Sequence, residues 1–521
     1  MARVVTRAEG RPEEVGAWLQ PQDGLVRERE GRAASPSSLP GDNIVFTVDH
    51  GPMREYRRSV QVERRLDGRL AVTSVTDFRL AVPYFGWLFV LPVRHALGRV
   101  ATDGHQPWWA PPDRLDARAA SVLGVLAAAS VVAGYLGTLL TQTITFAADE
   151  FEVGNHAQGY ALAVVRLGIL AAIALVALAD RRGRRPLLLA CAAGGCLTAA
   201  SGALAPSLAW LSASQVLARS FTTALAVLIT IVAAEEMPRG SRAYGISLLG
   251  MAGGLGAGVC VMALPLADLG SRGWRLLYLL PLVGLPLTRG IARHLSESRR
   301  FSAVHAIAGL AGHGARLALL AASAFLLAVF TAPASQFQNQ FLRDERGFSA
   351  SRIALFTVLT VTPASVGIIA GGRLADVRGR RLVGAVGLAG GVGATVAMFA
   401  STGWPLWAWS VVGSVVGGAT LPALGVYGPE LFPTSLRGRA NGLIGLLGVL
   451  GSITGLLTVG VLSDRLGGLG PALGALALGP AVLVVLVLAA YPETAQVELE
   501  ALNPEDLPPV HRAPVPTPPP P

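Results

Sequence analysis

Lysine is absent from the 521 residues, so all 43 basic side chains are arginine. That excludes a P-loop, whose lysine neutralises nucleotide phosphates, and with it an ATP motor within this chain; it also excludes a Schiff-base lysine. Charge of either sign is scarce: Lys, Arg, Asp and Glu make up 15% of the residues, against about 25% in a soluble globular domain. The scarcity is uneven, because residues 1–118 hold 32 charged side chains and residues 119–521 hold only 44. A polar N-terminal segment therefore precedes a long apolar region. Cysteine is nearly missing. Cys191, Cys196 and Cys260 all fall in apolar runs, so a disulfide framework and a Cys-x-x-Cys metal pair are excluded and small buried residues are expected. No histidine is followed by glutamate, which removes the His-Glu-x-x-His zinc motif. No metal or other cofactor is expected. The chain has no apolar core before residue 80 and so no signal peptide at its start. The formal charge of +10 would suggest an anionic partner in a soluble protein, but here the arginines belong first to the bilayer, and nucleic acid is not the expected partner.

What is present is a series of apolar stretches, each of about the 20 residues that cross a hydrocarbon core. Twelve lie roughly at 119–146, 157–179, 186–204, 208–235, 244–265, 272–293, 315–341, 351–372, 382–401, 405–428, 440–462 and 470–491, numbered spans 1 to 12 below. The fold class predicted is an all-α membrane protein with a small N-terminal α+β or partly disordered segment. The loop after span 2 carries Arg181, Arg182, Arg184 and Arg185, whereas the loop after span 1 carries Asp149, Glu150 and Glu152 without arginine. The positive-inside rule puts the arginine-rich side in the cytoplasm, and an even number of spans then puts both termini there.

The chain repeats itself. Leu178–Arg185 reads LADRRGRR and Leu374–Arg381 reads LADVRGRR; Glu235, Pro238 and Arg242 recur as Glu430, Pro433 and Arg437; Glu297 in LSESRRF recurs as Glu493 in PET. The offsets, 196, 195 and 196, make two repeats of six spans each. The G-x-L-A-D-R-x-G-R-R pattern, here Gly372–Arg381 with Val377 for the first arginine and Val176 in place of the first copy's glycine, resembles the major facilitator superfamily over residues 119 to about 500. YGPELFPTSLRG from Tyr427, LSESRRF and PET are similar to the branch containing sugar porters, metabolite:proton symporters and organic-ion transporters. Drug antiporters match less well, since span 5 has the glycines of their motif without its Gly-Pro.

The resemblance implies two six-span bundles, residues 119–293 and 315–491, joined by a cytoplasmic linker, 294–314, and followed by a Pro-rich tail, 492–521. It also implies alternating access, with a cytoplasmic gate of Asp180, Arg181, Gly183, Arg184, Glu235 and Arg242 in one half and Gly372, Asp376, Gly379, Arg380, Glu430 and Arg437 in the other. Asp180 and Asp376 end spans 2 and 8, where a carboxylate can face the positive N-terminus of a helix in the opposite half, and the arginines that follow can reach Glu235 and Glu430.

Two charges fall inside spans. Arg166 lies nine residues into span 2 and Arg219 eleven into span 4, about 14 and 16 Å deep at 1.5 Å per residue. Intramembrane arginines are candidates for substrate binding or for a structural tie. No Asp or Glu stands near the middle of any span. That leaves a coupling proton open and favours an organic anion. Gln142 in span 1, with Thr138 and Thr141, and Gln336, Asn339 and Gln340 at the end of span 7 are polar enough to bind hydroxyls. Glycines crowd span 5 and span 11, and small faces let helices pack closely.

Residues 1–43 read as largely disordered. Strand-like runs at 44–49, 56–66 and 69–82 follow, with Asp67-Gly68 as a hairpin turn and a possible small α+β unit over 44–100. The run Tyr84–Val93 is too short to span and aromatic enough to lie in the bilayer interface or pack on the strands. The sequence thus predicts a monomeric plasma-membrane transporter of a small organic metabolite, an acid favoured. The alternatives are an exporter of toxic compounds and a transporter-like sensor. An enzyme is disfavoured, since no nucleophile-base or metal constellation appears.

Overall fold

The computed structural model describes residues 1–31, 43–66, 69–100, 106–153, 161, 164–302, 310–338, 341–348 and 350–506. It divides into a unit of Met1–Ala128 and a larger one, Ala129–Pro521.

In the first unit, five antiparallel strands, β1 Ala2–Gly10, β2 Arg27–Glu30, β3 Asn43–His50, β4 Met53–Arg64 and β5 Leu70–Leu80, form a sheet in the order β1-β5-β4-β3-β2. Alternation puts Val72, Ser74, Thr76 and Phe78 of β5 on the covered face. The helix Gly86–Leu97 packs Val93, Phe89 and Leu97 against Val4, Tyr56 and Phe78, so Tyr84–Val93 does pack on the strands. The disorder expected over 1–43 is corrected for residues 1–31: β1 pairs with β5 along nine residues, from Ala2↔Phe78 to Gly10↔Leu70, and residues 32–42 lie outside the described residues. Its partner is some 70 residues away, and a local composition reading cannot see that pairing. The charges of the segment are partly internal. Arg58 meets Glu28 at 2.7 Å in the core, donates to the carbonyls of Trp18 and Gln20 and lies 4.3 Å over the Phe46 ring. Tyr56 donates its hydroxyl to the same Glu28, and burial together with that carboxylate's charge pushes the phenol well above its ordinary value. The hairpin turn Asp67-Gly68 lies outside the described residues.

Among the described residues eleven helices are long and apolar enough to cross a membrane. They are span 1 (Ala117–Ile144), span 3 (Arg184–Leu204), span 4 (Leu208–Glu236), span 5 (Arg239–Ala267), span 6 (Trp274–His294), span 7 (Gly314–Gln336), span 8 (Leu355–Arg378), span 9 (Arg380–Ala400), span 10 (Gly403–Glu430), span 11 (Arg437–Leu466) and span 12 (Leu469–Ala490). Span 2 is described as the helix Gly168–Arg182, with 154–160 and 162–163 outside the described residues.

The duplication is visible in the packing. A Cβ on Gly256 of span 5 would stand 1.9 Å from the Val131 carbonyl of span 1, and one on Gly451 of span 11 would stand 2.4 Å from the Phe325 carbonyl of span 7. With lipid as apolar as the helix faces, such close approach supplies the packing energy that water would otherwise drive. Gly168 of span 2 meets the Val216 carbonyl of span 4 in the same way that Gly367 of span 8 meets the Val415 carbonyl of span 10. The tail is folded up to Asp506: Asn503 is fully buried and donates to the Glu430 carbonyl at 2.7 Å, and Pro504–Asp506 form a short 3-10 turn. Residues 507–521 lie outside the described residues.

Candidate functional site

The duplicated motifs meet at one face of the membrane body. Span 2 ends at Arg182, and Gly183, at φ +105°, turns the chain into span 3. That left-handed backbone suits glycine, and a Cβ there would also come within 2.5 Å of Glu297 Oε2. Glu297 in turn accepts from the backbone N–H groups of Arg184 at 2.9 Å and Arg185 at 3.2 Å, satisfying donors that the start of span 3 leaves free. Asp180, one turn before Gly183, accepts from the N–H groups of Gly438 and Arg439, both at 3.0 Å, at the N-terminus of span 11. Arg184 donates to Asp180 at 2.7 Å and to the Thr434 carbonyl at 2.6 Å, and stands 3.6 Å from Glu235. Glu235 accepts from Arg437 at 2.8 Å.

The second half builds the same set with the halves exchanged. Gly379 has φ +105°, and Glu493 accepts from the N–H groups of Arg380 at 3.0 Å and Arg381 at 3.2 Å. Asp376 of span 8 accepts from Ala243 N–H at 3.3 Å and Tyr244 N–H at 2.9 Å, at the start of span 5. Arg380 donates to Asp376 at 3.0 Å and pairs with Glu430, which also accepts from Arg242 at 3.2 Å. Each quartet has two carboxylates and two guanidinium groups and is neutral as a unit. All eight side chains are buried.

Two kinds of link in each set join the two halves: a carboxylate to a helix N-terminus of the other half, and an arginine to a glutamate of the other half. Helix N-termini carry about half a positive charge, so Asp180 and Asp376 are held by a field as well as by hydrogen bonds. Removing one partner from such a buried network costs about 3–5 kcal/mol, yet the intact network gains little over hydration. A set of contacts that is costly to damage and near balance when hydrated can serve as a reversible latch.

The tail closes over this network. Gln496 donates to the Asp376 carbonyl at 2.9 Å, Arg242 to the Val497 carbonyl at 2.9 Å, and Asp506 accepts from the Thr434 N–H at 2.9 Å and from Arg437 at 3.3 Å. Of the predicted gate residues, Gly372 lies at the crossing with span 5, where a Cβ would stand 2.9 Å from Ser247. Arg181 is exposed and takes no part in the ion pairs found among the described residues. Glu297, Glu493, Thr434 and Asp506 are additions to the predicted set. The first two are visible in the sequence as markers of the duplication, whereas Thr434 and Asp506 carry no spacing signal.

Deeper in the body, Arg219 of span 4 sits against span 2, its Cβ position 3.1 Å from the site of a Cβ on Gly168, and reaches the Gly137 carbonyl of span 1 at 3.4 Å. Its side chain is open on the remaining side. Arg166 is near enough for its charge to act on Arg219, and no carboxylate pairs with either among the described residues. Gln142 is half-buried, five residues beyond Gly137 in span 1, and Gln336 is exposed at the end of span 7. Asn339 and Gln340 lie outside the described residues. A separate cavity of about 520 Å³ lies inside the second bundle, between spans 7, 9, 10, 11 and 12. Gly387, Gly391, Gly413 and Gly417 line it, with Ser323, Thr331, Thr395, Thr420, Asn441 and Tyr491 as its polar side chains. None of the predicted binding residues lines it. Its sequence signal is the i, i+4 glycine pair in each of spans 9 and 10.

Comparison with known proteins supplies the frame for this geometry. No curated protein matches the chain by sequence. Among solved structures, the proton:xylose symporter XylE bound to 6-bromo-6-deoxy-D-glucose is 15% identical with a TM-score of 0.62, covering 74% of this chain and 99% of that one. The human organic anion transporter MFSD10 is 17% identical with a TM-score of 0.58, covering 70% and 98%. FucP in its outward conformation is 12% identical with a TM-score of 0.61, covering 72% and 100%. At such identities the likeness establishes the fold. The family model described as Major Facilitator Superfamily matches residues 122–288 and 317–516, which is most of both bundles with the two quartets included, and the chain belongs to that superfamily.

Proposed function

We propose that this multi-pass membrane transporter carries a small organic anion across the plasma membrane, with Arg219 and Arg166 as its anion-binding pair and the two quartets as its cytoplasmic latch. The observation that carries the reading is that Arg219 of span 4 and Arg166, in the turn just before the helix Gly168–Arg182, are near enough for their charges to act on each other and have no carboxylate partner among the described residues. Two like charges held in an apolar body repel each other and are poorly solvated, so a bound anion relieves both costs at once. A neutral sugar would relieve neither, although XylE is a xylose symporter. The human neighbour MFSD10 is an organic anion transporter, which agrees with the anion reading.

The mechanism follows from the latch. With the arginine-rich side facing the cytoplasm, both termini lie there, and the links between the halves close that side while the arginine pair is reached from the outside. Binding of an anion to Arg219 and Arg166, both in the first half, offsets their charge and lets the second half close over the occupied site. The halves then rock, Asp180 and Asp376 leave the helix N-termini, and water takes over the hydrogen bonds of both quartets. The chain works as a monomer. A proton can accompany the substrate as a soluble co-ion, with no carboxylate of the spans assigned to it.

The test is thermal stabilisation of the purified protein by carboxylates, sugars and lipophilic cations, because a ligand that binds only the folded state raises its stability by mass action. Stabilisation by carboxylates that is lost in Arg219→Ala supports the proposal. Equal stabilisation of both proteins by lipophilic cations would favour an exporter and leave Arg219 a structural residue. Absence of flux of a stabilising carboxylate in liposomes would favour a sensor.

A further inference from the structure

The helix Gly86–Leu97 buries only one of its faces. Phe89, Val93, Ala96 and Leu97 pack into the core of the sheet, while Trp87, Leu88 and Leu91, at i, i+1 and i+4, are 71%, 50% and 72% exposed, and Tyr84, in the turn just before the helix at φ +62°, is 45% exposed. Three apolar side chains on one helix face and the tyrosine that precedes them form a cluster rather than scattered surface residues. Two of the four are Trp and Tyr, the residues that favour a bilayer interface. Arg94, His95 and Arg99 follow on the exposed side.

The position of this cluster along the first span indicates what covers it. Pro83, directly before the cluster, packs on Gly124 of span 1, where a Cβ would stand 2.8 Å from Pro83 Cδ. Span 1 runs from Ala117 to Ile144, a length of about 42 Å at 1.5 Å per residue, whereas the hydrocarbon core is only about 30 Å thick. Some 6 Å therefore projects at each end. Gly124, about 10 Å along the helix, stands just inside the hydrocarbon boundary. The cluster begins at that level. Trp108, 79% exposed, precedes the span on the same unit. Pro92 sets the depth: it has no N–H for the Leu88 carbonyl, and that acceptor needs water or a headgroup donor, which the hydrocarbon cannot supply.

We infer that Tyr84, Trp87, Leu88 and Leu91 insert into the headgroup layer of the bilayer next to span 1, with Arg94 and Arg99 on anionic headgroups, so that the N-terminal sheet is bound to the membrane surface by a second, non-covalent contact. The occupant of the cluster is lipid.

The test uses the full chain in nanodiscs of phosphatidylcholine and phosphatidylglycerol, with a nitroxide on Leu91→Cys and, for comparison, on Arg57→Cys, an exposed position of β4. The three native cysteines are buried and leave the introduced thiol as the reactive one. Collision of the label with oxygen several-fold more frequent than with a water-soluble nickel chelate at position 91, and the reverse at position 57, is the expected result. Preference for the nickel chelate at both positions would overturn the inference by showing the cluster in water. Screening from both reagents at position 91 would overturn it in favour of a protein partner. As a check independent of the label, quenching of tryptophan fluorescence by brominated lipid should lose amplitude in Trp87→Phe; unchanged quenching would contradict insertion.

Discussion

The two halves of the membrane body agree at one level and disagree at another. At the arginine-rich face the same residues make the same kinds of contact: Asp180 and Asp376 accept from the first N–H groups of spans 11 and 5, Arg184 and Arg380 stand one turn later, and Glu297 and Glu493 cap the next helix. Deeper in, the contact of Gly168 with Val216 has its counterpart in Gly367 with Val415. In that register Arg166 corresponds to Ser365 and Arg219 to Gly418. The arginine pair thus has no copy in the second half. On the proposed function, the residues kept in both halves serve the motion that both halves share, and the arginines present in one half bind the anion. On that reading a symmetric latch is separate from an asymmetric binding site.

That separation can be broken most sharply at Arg219. Replacing it with alanine removes a charge-assisted contact worth about 3 kcal/mol, and anion uptake into proteoliposomes is expected to fall about 100-fold at unchanged expression. Uptake within a few-fold of wild type would place the substrate elsewhere, the cavity of the second bundle being the first candidate. Next in size is the latch. Asp376→Asn and Asp180→Asn should each slow uptake by about tenfold, since each loses a charged contact to a helix N-terminus worth about 1–2 kcal/mol, and the two should act alike. A large effect of one and none of the other would break the symmetry argument. The double-mutant cycle of Arg242→Ala with Glu430→Ala, read by thermal unfolding, should give a coupling of about 1–3 kcal/mol, matched by Arg437→Ala with Glu235→Ala; additive effects in either cycle would remove that pair from the latch.

The smallest effect is expected at the opposite face, outside the spans. Burial raises the Glu150 carboxyl, but hydrogen bonds from Arg275 and Trp274 and the charges of Arg275 and Arg272 outweigh it and hold the group below its ordinary value. A carboxyl lowered in the folded state contributes stability above its unfolded value, near pH 4.3, and loses it as pH falls through the folded value. The acid limb of a melting-temperature profile should therefore be shallower in Glu150→Gln than in wild type. Parallel limbs would assign the acid loss to other groups.

The two quartets were legible in the sequence because buried charge is rare in an apolar chain. Each Asp, Arg and Glu stands out, and duplication at a fixed offset excludes coincidence. The same scarcity marked Arg166 and Arg219. What stayed hidden lacked one of these contrasts. β1 is a short polar strand whose partner β5 is far along the chain, so neither composition nor local periodicity marks it as folded. Asp506 and Asn503 sit in a Pro-rich, polar tail, where single side chains fix the backbone to Thr434 and Glu430. Arg181 shares the motif with Asp180 and Arg184, yet it is exposed, because one residue's shift on a helix turns a side chain by about 100°.

The central claim, that the unshared arginines bind and the shared quartets switch, is tested most directly by measuring equilibrium binding and transport separately for one carboxylate in Arg219→Ala and Asp376→Asn. Arg219→Ala should lose binding, whereas Asp376→Asn should bind within about threefold of wild type, under 1 kcal/mol, and transport about tenfold more slowly. Binding lost in Asp376→Asn and kept in Arg219→Ala would contradict it.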